Sequence, residues 1–135
     1  MLRKVLLPGL AAGILAAIAA LVYQKIYITA LGPDFSSVIS TGGIFIASIG
    51  GTLLASLGYF LLDKWLKARA PIIFNLLFVV FSFASIIGPI SISLPLTLEA
   101  PELFPGLTVP MHFFPALAWF CLSPLFYPAY RGSRS

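Results

Sequence analysis

Four apolar stretches of this 135-residue chain are each close to the length that crosses a lipid bilayer as a helix. Such a crossing takes about 20 apolar residues. The stretches cover residues about 5–24, 40–62, 72–94 and 107–127. None of them alternates polar and apolar residues in the manner of a membrane β-barrel strand. The sequence therefore predicts an all-α integral membrane four-helix bundle, a single transmembrane domain over residues 1–135.

The composition agrees with a chain whose main solvent is lipid. Hydrophobic residues make up 60% of it and charged residues only 9%, which is too little polar surface to cover a soluble globule. The net charge of +4 raises nucleic acid as a partner, but the charges lie at the chain ends and in the gaps between apolar stretches. Because they form no basic face or basic helix, we expect no nucleic-acid partner.

The basic residues predict the orientation in the membrane. Seven of the eight fall on one side of the four predicted spans, and only Lys25 falls on the other. The positive-inside rule places the richer side in the cytoplasm, together with both termini. A cleaved signal peptide is the alternative for the first stretch, but its apolar run is longer than a usual signal core. The seven are Arg3, Lys4, Lys64, Lys67, Arg69, Arg131 and Arg134.

Small residues indicate where the helices meet. Helices in lipid associate through close packing, for which glycine and alanine are well suited. Gly9 and Gly13 form a GxxxG motif on one face of the first predicted helix. We expect this face to pack within the chain against the small-residue face of the second, and pairing with another copy is the alternative. The residues of that second face are Gly43, Ala47, Gly51 and Ala55.

The only histidine, His112, lies in the apolar run "VPMHFFPALAWF". Intramembrane polar residues are hints of function by default. We expect a neutral imidazole that fixes the fourth helix by bonding an outer-loop carboxylate, a serine of "SIS" or a backbone carbonyl. Contact with a ligand is the second interpretation. A metal or haem site is the third, but it lacks further ligands at a suitable spacing.

Catalytic signatures are missing from the sequence. It has no HExxH, no phosphate-binding glycine loop, no GxSxG and no CxxC. A single histidine and loop carboxylates do not make a triad. We therefore expect no enzyme activity, no metal and no cofactor.

The third and fourth stretches carry one resemblance. "FSFASIIGPI", with Ser85, Gly88 and Pro89, precedes an acidic loop and then "LTVPMHFF", with Met111 and His112. This order resembles a group of small bacterial four-span membrane proteins of unknown function. The resemblance covers about a third of the chain and implies a bacterial inner membrane with no known activity.

Two functions follow as hypotheses. The first is a non-enzymatic membrane protein that acts through helix packing, as an accessory subunit of a membrane complex or as a self-associating bundle. Its partners would be the bilayer and another membrane protein or a second copy. The alternative is binding or transport of an apolar or amphipathic small molecule, a lipid or a quinone, between the third and fourth helices. The residues expected at that site are His112, Asn75, Ser82 and Trp119.

Overall fold

The computed structural model describes residues 2–127, which are all-helical and contain no strand. Arg131 and Arg134, which contribute to the predicted orientation, lie outside the described residues. The elements are α1 (Leu2–Leu31), α2 (Thr41–Leu66), a 3-10 turn (Lys67–Arg69), α3 (Ala70–Ser85), α4 (Ile87–Ser91), a second 3-10 turn (Pro101–Leu103), α5 (Phe104–Met111) and α6 (Phe114–Phe126).

Three helical segments of the described chain are long and apolar enough to cross a membrane, whereas the sequence predicts four. The predicted count is wrong because the second segment, 51 residues long, covers nearly all of both the second and the third predicted spans. The stretch "DKWLKARAP" separates the second and third predicted spans, but its lysines, leucine and alanines are good helix formers. Charge therefore interrupts the apolar pattern there, and a short 3-10 turn joins α2 to α3 without an intervening loop. The segments are Arg3–Leu31, Thr41–Ser91 and Pro101–Phe126.

The second segment turns back on itself at the first 3-10 turn. Lys67 has φ 46° and ψ −115°, outside the helical region. The rings of Tyr59 and Phe74 meet edge to face with centroids 5.4 Å apart. In a straight helix, the 15 steps between these residues would span about 22 Å. α3 therefore runs back along α2.

The tightest part of the bundle joins α1, α2 and α6. Ala12 and Ala16 of α1 are fully buried, and they belong to one cluster with Tyr59, Phe74 and Trp119. Alanine lets the helices approach closely, and the aromatic rings fill the space beside it. The predicted small-residue face of α1 is thus buried.

Two tyrosines join the C-terminal half of α1 to the start of the last segment. The Tyr23 hydroxyl donates to the carbonyl oxygen of Gly106 at 2.8 Å. The Tyr27 hydroxyl donates to the carbonyl oxygen of Leu103 at 2.6 Å. These bonds fix α5 against α1.

Candidate functional site

A groove of about 400 Å³ lies between α2, α3 and the junction of α5 with α6. Phe78 and Phe81 of α3 and Met111 of α5 form apolar walls, and Ala20 of α1 also contributes. Among the described residues, no lysine, arginine, aspartate or glutamate lines it. Small-molecule sites in proteins have volumes of about 300–1,000 Å³ and mostly apolar linings with a few polar groups. The groove matches that description.

The α2 wall of the groove is made of small residues. Gly43, Ala47 and Gly51 lie four residues apart on one face of the helix, and all three are exposed. A Cβ added at Gly51 would meet no atom within 4 Å. The sequence predicts that these three residues pack against α1, but the structure places them on the groove. Ala55, the fourth member, packs against the aromatic core cluster.

α1 packs against a different face of α2, lined by hydroxyl side chains. An added Cβ at Gly13 would lie 2.6 Å from Cα of Ile49, and one at Gly9 would lie 2.9 Å from the carbonyl oxygen of Thr52. The buried residues of this α2 face include Thr52 and Ser56, and Ser48 lies at its edge and also lines the groove. Sequence reasoning missed this face. The signal was present, because serine and threonine at a spacing of four also satisfy the small-xxx-small pattern.

His112 bonds a backbone carbonyl, one of the three partners that the sequence leaves open. Its Nδ1 lies 2.8 Å from the carbonyl oxygen of Thr108. Since a carbonyl oxygen only accepts, Nδ1 carries the proton, and Nε2 of the neutral ring is then an acceptor. The bond lies where α5 ends at Met111, before α6 begins at Phe114 with Pro115 in its first turn. His112 therefore stabilises the end of α5, and it is one of the residues that line the groove.

The other polar side chains of the groove bond mainly to their own helices. Ser82 donates to the carbonyl oxygen of Phe78 at 2.8 Å, and Ser85 donates to that of Ser82 at 2.7 Å. Thr108 donates to the carbonyl oxygen of Phe104 at 3.0 Å. The hydroxyl protons of Ser82, Ser85 and Thr108 are used in this way, so their oxygens remain as acceptors.

The structure brings together only two of the four residues expected at the ligand site. Ser82 and His112 both line the groove. Trp119 is 1% exposed, and its ring centroid lies 5.2 Å from that of Phe74 and 5.7 Å from that of Tyr59. Asn75 is half-buried on α3 and does not line the groove. Trp119 is therefore a core residue of the bundle.

Within residues 2–127, no group of three or more histidine, cysteine, aspartate or glutamate side chains is placed to hold a metal ion. Comparison of the chain with protein-family models, curated proteins and solved structures finds no match. The resemblance to small bacterial four-span proteins stays a prediction.

Proposed function

We propose that this chain is an integral membrane protein that binds an apolar or amphipathic small molecule, of the lipid or quinone class, in the groove. The observation that carries the proposal is the groove itself: about 400 Å³, with phenylalanine and methionine walls and polar groups from three helices. A site of this kind needs no catalytic group, so we expect binding without chemistry and without a cofactor.

A lipid environment is supported by the outer surface. Large apolar side chains are exposed along the helices, including Ile46 at 77%, Leu54 at 71% and Leu125 at 74%. This amount of exposed apolar surface would favour association or aggregation in water. We propose that both termini face the cytoplasm, following the basic residues, and that the membrane is the bacterial inner membrane, following the resemblance.

The depth of the groove favours a small molecule over a whole helix. Ala20 of α1, which is only 3% exposed, is among its lining residues, so the groove reaches between the helices. A narrow apolar chain or a flat ring suits such a depth better than a helix, which is about 10 Å across.

The test uses two neighbouring glycines of α2. Gly51→Phe places a ring in the groove, and Gly50→Phe is the matched control, since Gly50 does not line the groove and also has open space around it. The full chain is extracted from its own membranes in a mild detergent and weighed by native mass spectrometry. We expect an adduct of a few hundred daltons on the parent chain and on Gly50→Phe, and none on Gly51→Phe. The same adduct on all three, or on none, contradicts the proposal.

Association is the second candidate, favoured by the exposed Gly43, Ala47 and Gly51. Small residues at this spacing are a common contact surface for helices in membranes. In that case, the same measurement yields a multiple of the chain mass, or the added mass of another polypeptide. Gly51→Phe then abolishes the complex, and no small adduct is found.

A further inference from the structure

The hydrogen-bonding groups of the groove indicate the chemical class of the proposed ligand. We propose that the ligand is a neutral amphiphile whose polar end is a hydroxyl group, and that this hydroxyl donates a hydrogen bond to Nε2 of His112. The inference rests on the proposed function and adds the chemical class of the ligand and the atom that recognises it.

The position of the proton on the imidazole decides which of its two nitrogens can accept a hydrogen bond. Nδ1 of His112 is held by the carbonyl oxygen of Thr108 at 2.8 Å, so the proton of the neutral ring is on Nδ1. Nε2 has no hydrogen-bond partner among the described residues. Every buried side-chain nitrogen or oxygen of the described chain has a partner, so Nε2, which has none, is not buried. Since His112 is one of the residues that line the groove, a ligand there can reach this lone pair.

The other polar side chains of the groove offer mainly hydrogen-bond acceptors. The hydroxyl groups of Ser82, Ser85 and Thr108 each donate to a backbone carbonyl oxygen of their own helix. Ser48, the remaining polar residue of the groove, has a hydroxyl that either donates or accepts. The groove therefore offers more acceptors than donors, and a ligand that donates is the better match.

No charged side chain of the described chain lines the groove. No lysine or arginine of the described chain lines the groove, so a phosphate or carboxylate headgroup would be held there without a counter-charge. No aspartate or glutamate lines it either, so an ammonium headgroup is equally unmatched. Placing an unpaired charge in an apolar site is costly. A neutral alcohol or hydroquinone avoids that cost, with its apolar body against Phe78 and Phe81.

The test compares two probes with the same alkyl chain and the same oxygen, of which one has the donor hydrogen and the other has a methyl group in its place. 1-Hexadecanol has the hydroxyl, and hexadecyl methyl ether has the same chain without it. Both are added at equal concentration to the full chain in mild detergent, and their occupancies are measured by native mass spectrometry. We expect the parent chain to prefer the alcohol by roughly three- to ten-fold, the contribution of one neutral hydrogen bond.

Two substitutions of His112 distinguish the role of Nε2 in binding from the role of Nδ1. The amide of His112→Gln reaches the position of Nε2 and supplies an acceptor oxygen there, so we expect a preference for the alcohol to remain. The amide of His112→Asn reaches only the position of Nδ1, where it can donate to Thr108, so we expect the two probes to bind equally. Because each result is a ratio within one variant, it does not depend on the fraction of protein that is folded.

The outcomes distinguish this inference from the proposed function. If both probes bind the parent chain equally and Gly51→Phe excludes both, the groove binds ligands but the hydroxyl assignment is overturned. The assignment is also overturned if His112→Asn keeps the full preference. If neither probe binds, or Gly51→Phe binds them as the parent does, the groove is not a ligand site and the proposed function fails as well.

Discussion

Two faces of α2 carry small residues, and the bundle uses them in opposite ways. The face with Thr52 and Ser56 is closed: Gly9 and Gly13 of α1 lie so near it that an added Cβ would overlap α2 atoms. The face with Gly43, Ala47 and Gly51 is open and forms one wall of the groove. A stripe of small residues thus permits close approach, but the neighbouring helix decides whether the approach takes place.

The neighbours account for the difference. Opposite the closed face, α1 presents glycine and alanine, so the two backbones meet. Opposite the open face, α3 presents Phe78 and Phe81, whose rings line the groove. Small against small brings helices together, whereas small against aromatic leaves a volume in which a third molecule fits. Substitutions on the two faces should therefore differ in their effect on the stability of the bundle.

The largest effect on the free energy of unfolding is expected for Trp119→Ala, because Trp119 lies in the core cluster that contains Ala12 and Ala16 of α1. Removing a buried aromatic side chain costs about 3–5 kcal/mol, and Trp119 is 1% exposed among other rings. Leu117→Ala is the control, since Leu117 is 54% exposed on the same helix. Denaturation in detergent micelles, followed by far-ultraviolet circular dichroism, measures the free energy of unfolding. Similar losses for the two variants would show that the aromatic cluster does not hold the bundle together.

The next effect separates the two α2 faces directly. At Gly13 an alanine Cβ would lie 2.6 Å from Cα of Ile49 and 2.5 Å from Oγ1 of Thr52, so helices must move apart. We expect Gly13→Ala to lower the free energy of unfolding by about 1–3 kcal/mol. At Gly51 the same methyl meets nothing within 4 Å, so Gly51→Ala should be neutral or slightly stabilising. The same denaturation experiment measures both. Equal effects of the two substitutions would contradict the difference between the closed and the open face of α2.

The smallest effect concerns the serine hydroxyls. Ser56 donates across the closed interface to the carbonyl oxygen of Val5, whereas Ser85 donates within its own helix. Bonds between helices in membranes contribute about 0.6 kcal/mol on average and at most about 1.7 kcal/mol. We expect a loss of that size for Ser56→Ala and no measurable loss for Ser85→Ala. Thermal unfolding in one detergent, with the two variants side by side, resolves the difference, and a larger loss for Ser85→Ala would reverse the assignment.

Much of the architecture could be predicted from the sequence because it depends on local pattern. Apolar length predicted long helices, and the glycine and alanine face of α1 indicated a contact surface that is buried in the structure. The continuous second segment could not be predicted in the same way. Charged residues mark a boundary between apolar and polar surroundings, but lysine and arginine are also good helix formers, so a 3-10 turn over Lys67–Arg69 joins α2 to α3 in place of a loop.

The groove was beyond prediction for a different reason. Gly43, Ala47 and Gly51 have the same pattern whether they face a helix or an empty space, and only the position of α3 distinguishes the two. His112 and Ser82 could be selected because polar side chains are rare in these segments. Asn75 and Trp119 were expected at the same site, but their positions relative to the groove depend on how α3 and α6 cross.

Tyr127 donates a hydrogen bond to the carbonyl oxygen of Lys4, 2.8 Å away and 123 residues earlier in the chain. During synthesis, α1 is made well before its partner α6. The pair of α1 and α2 can form early, but the face of α1 with Ala12 and Ala16 stays uncovered until α6 is made. A nascent chain halted before α6 is therefore a half-closed bundle, and its uncovered alanine face distinguishes it from the folded chain.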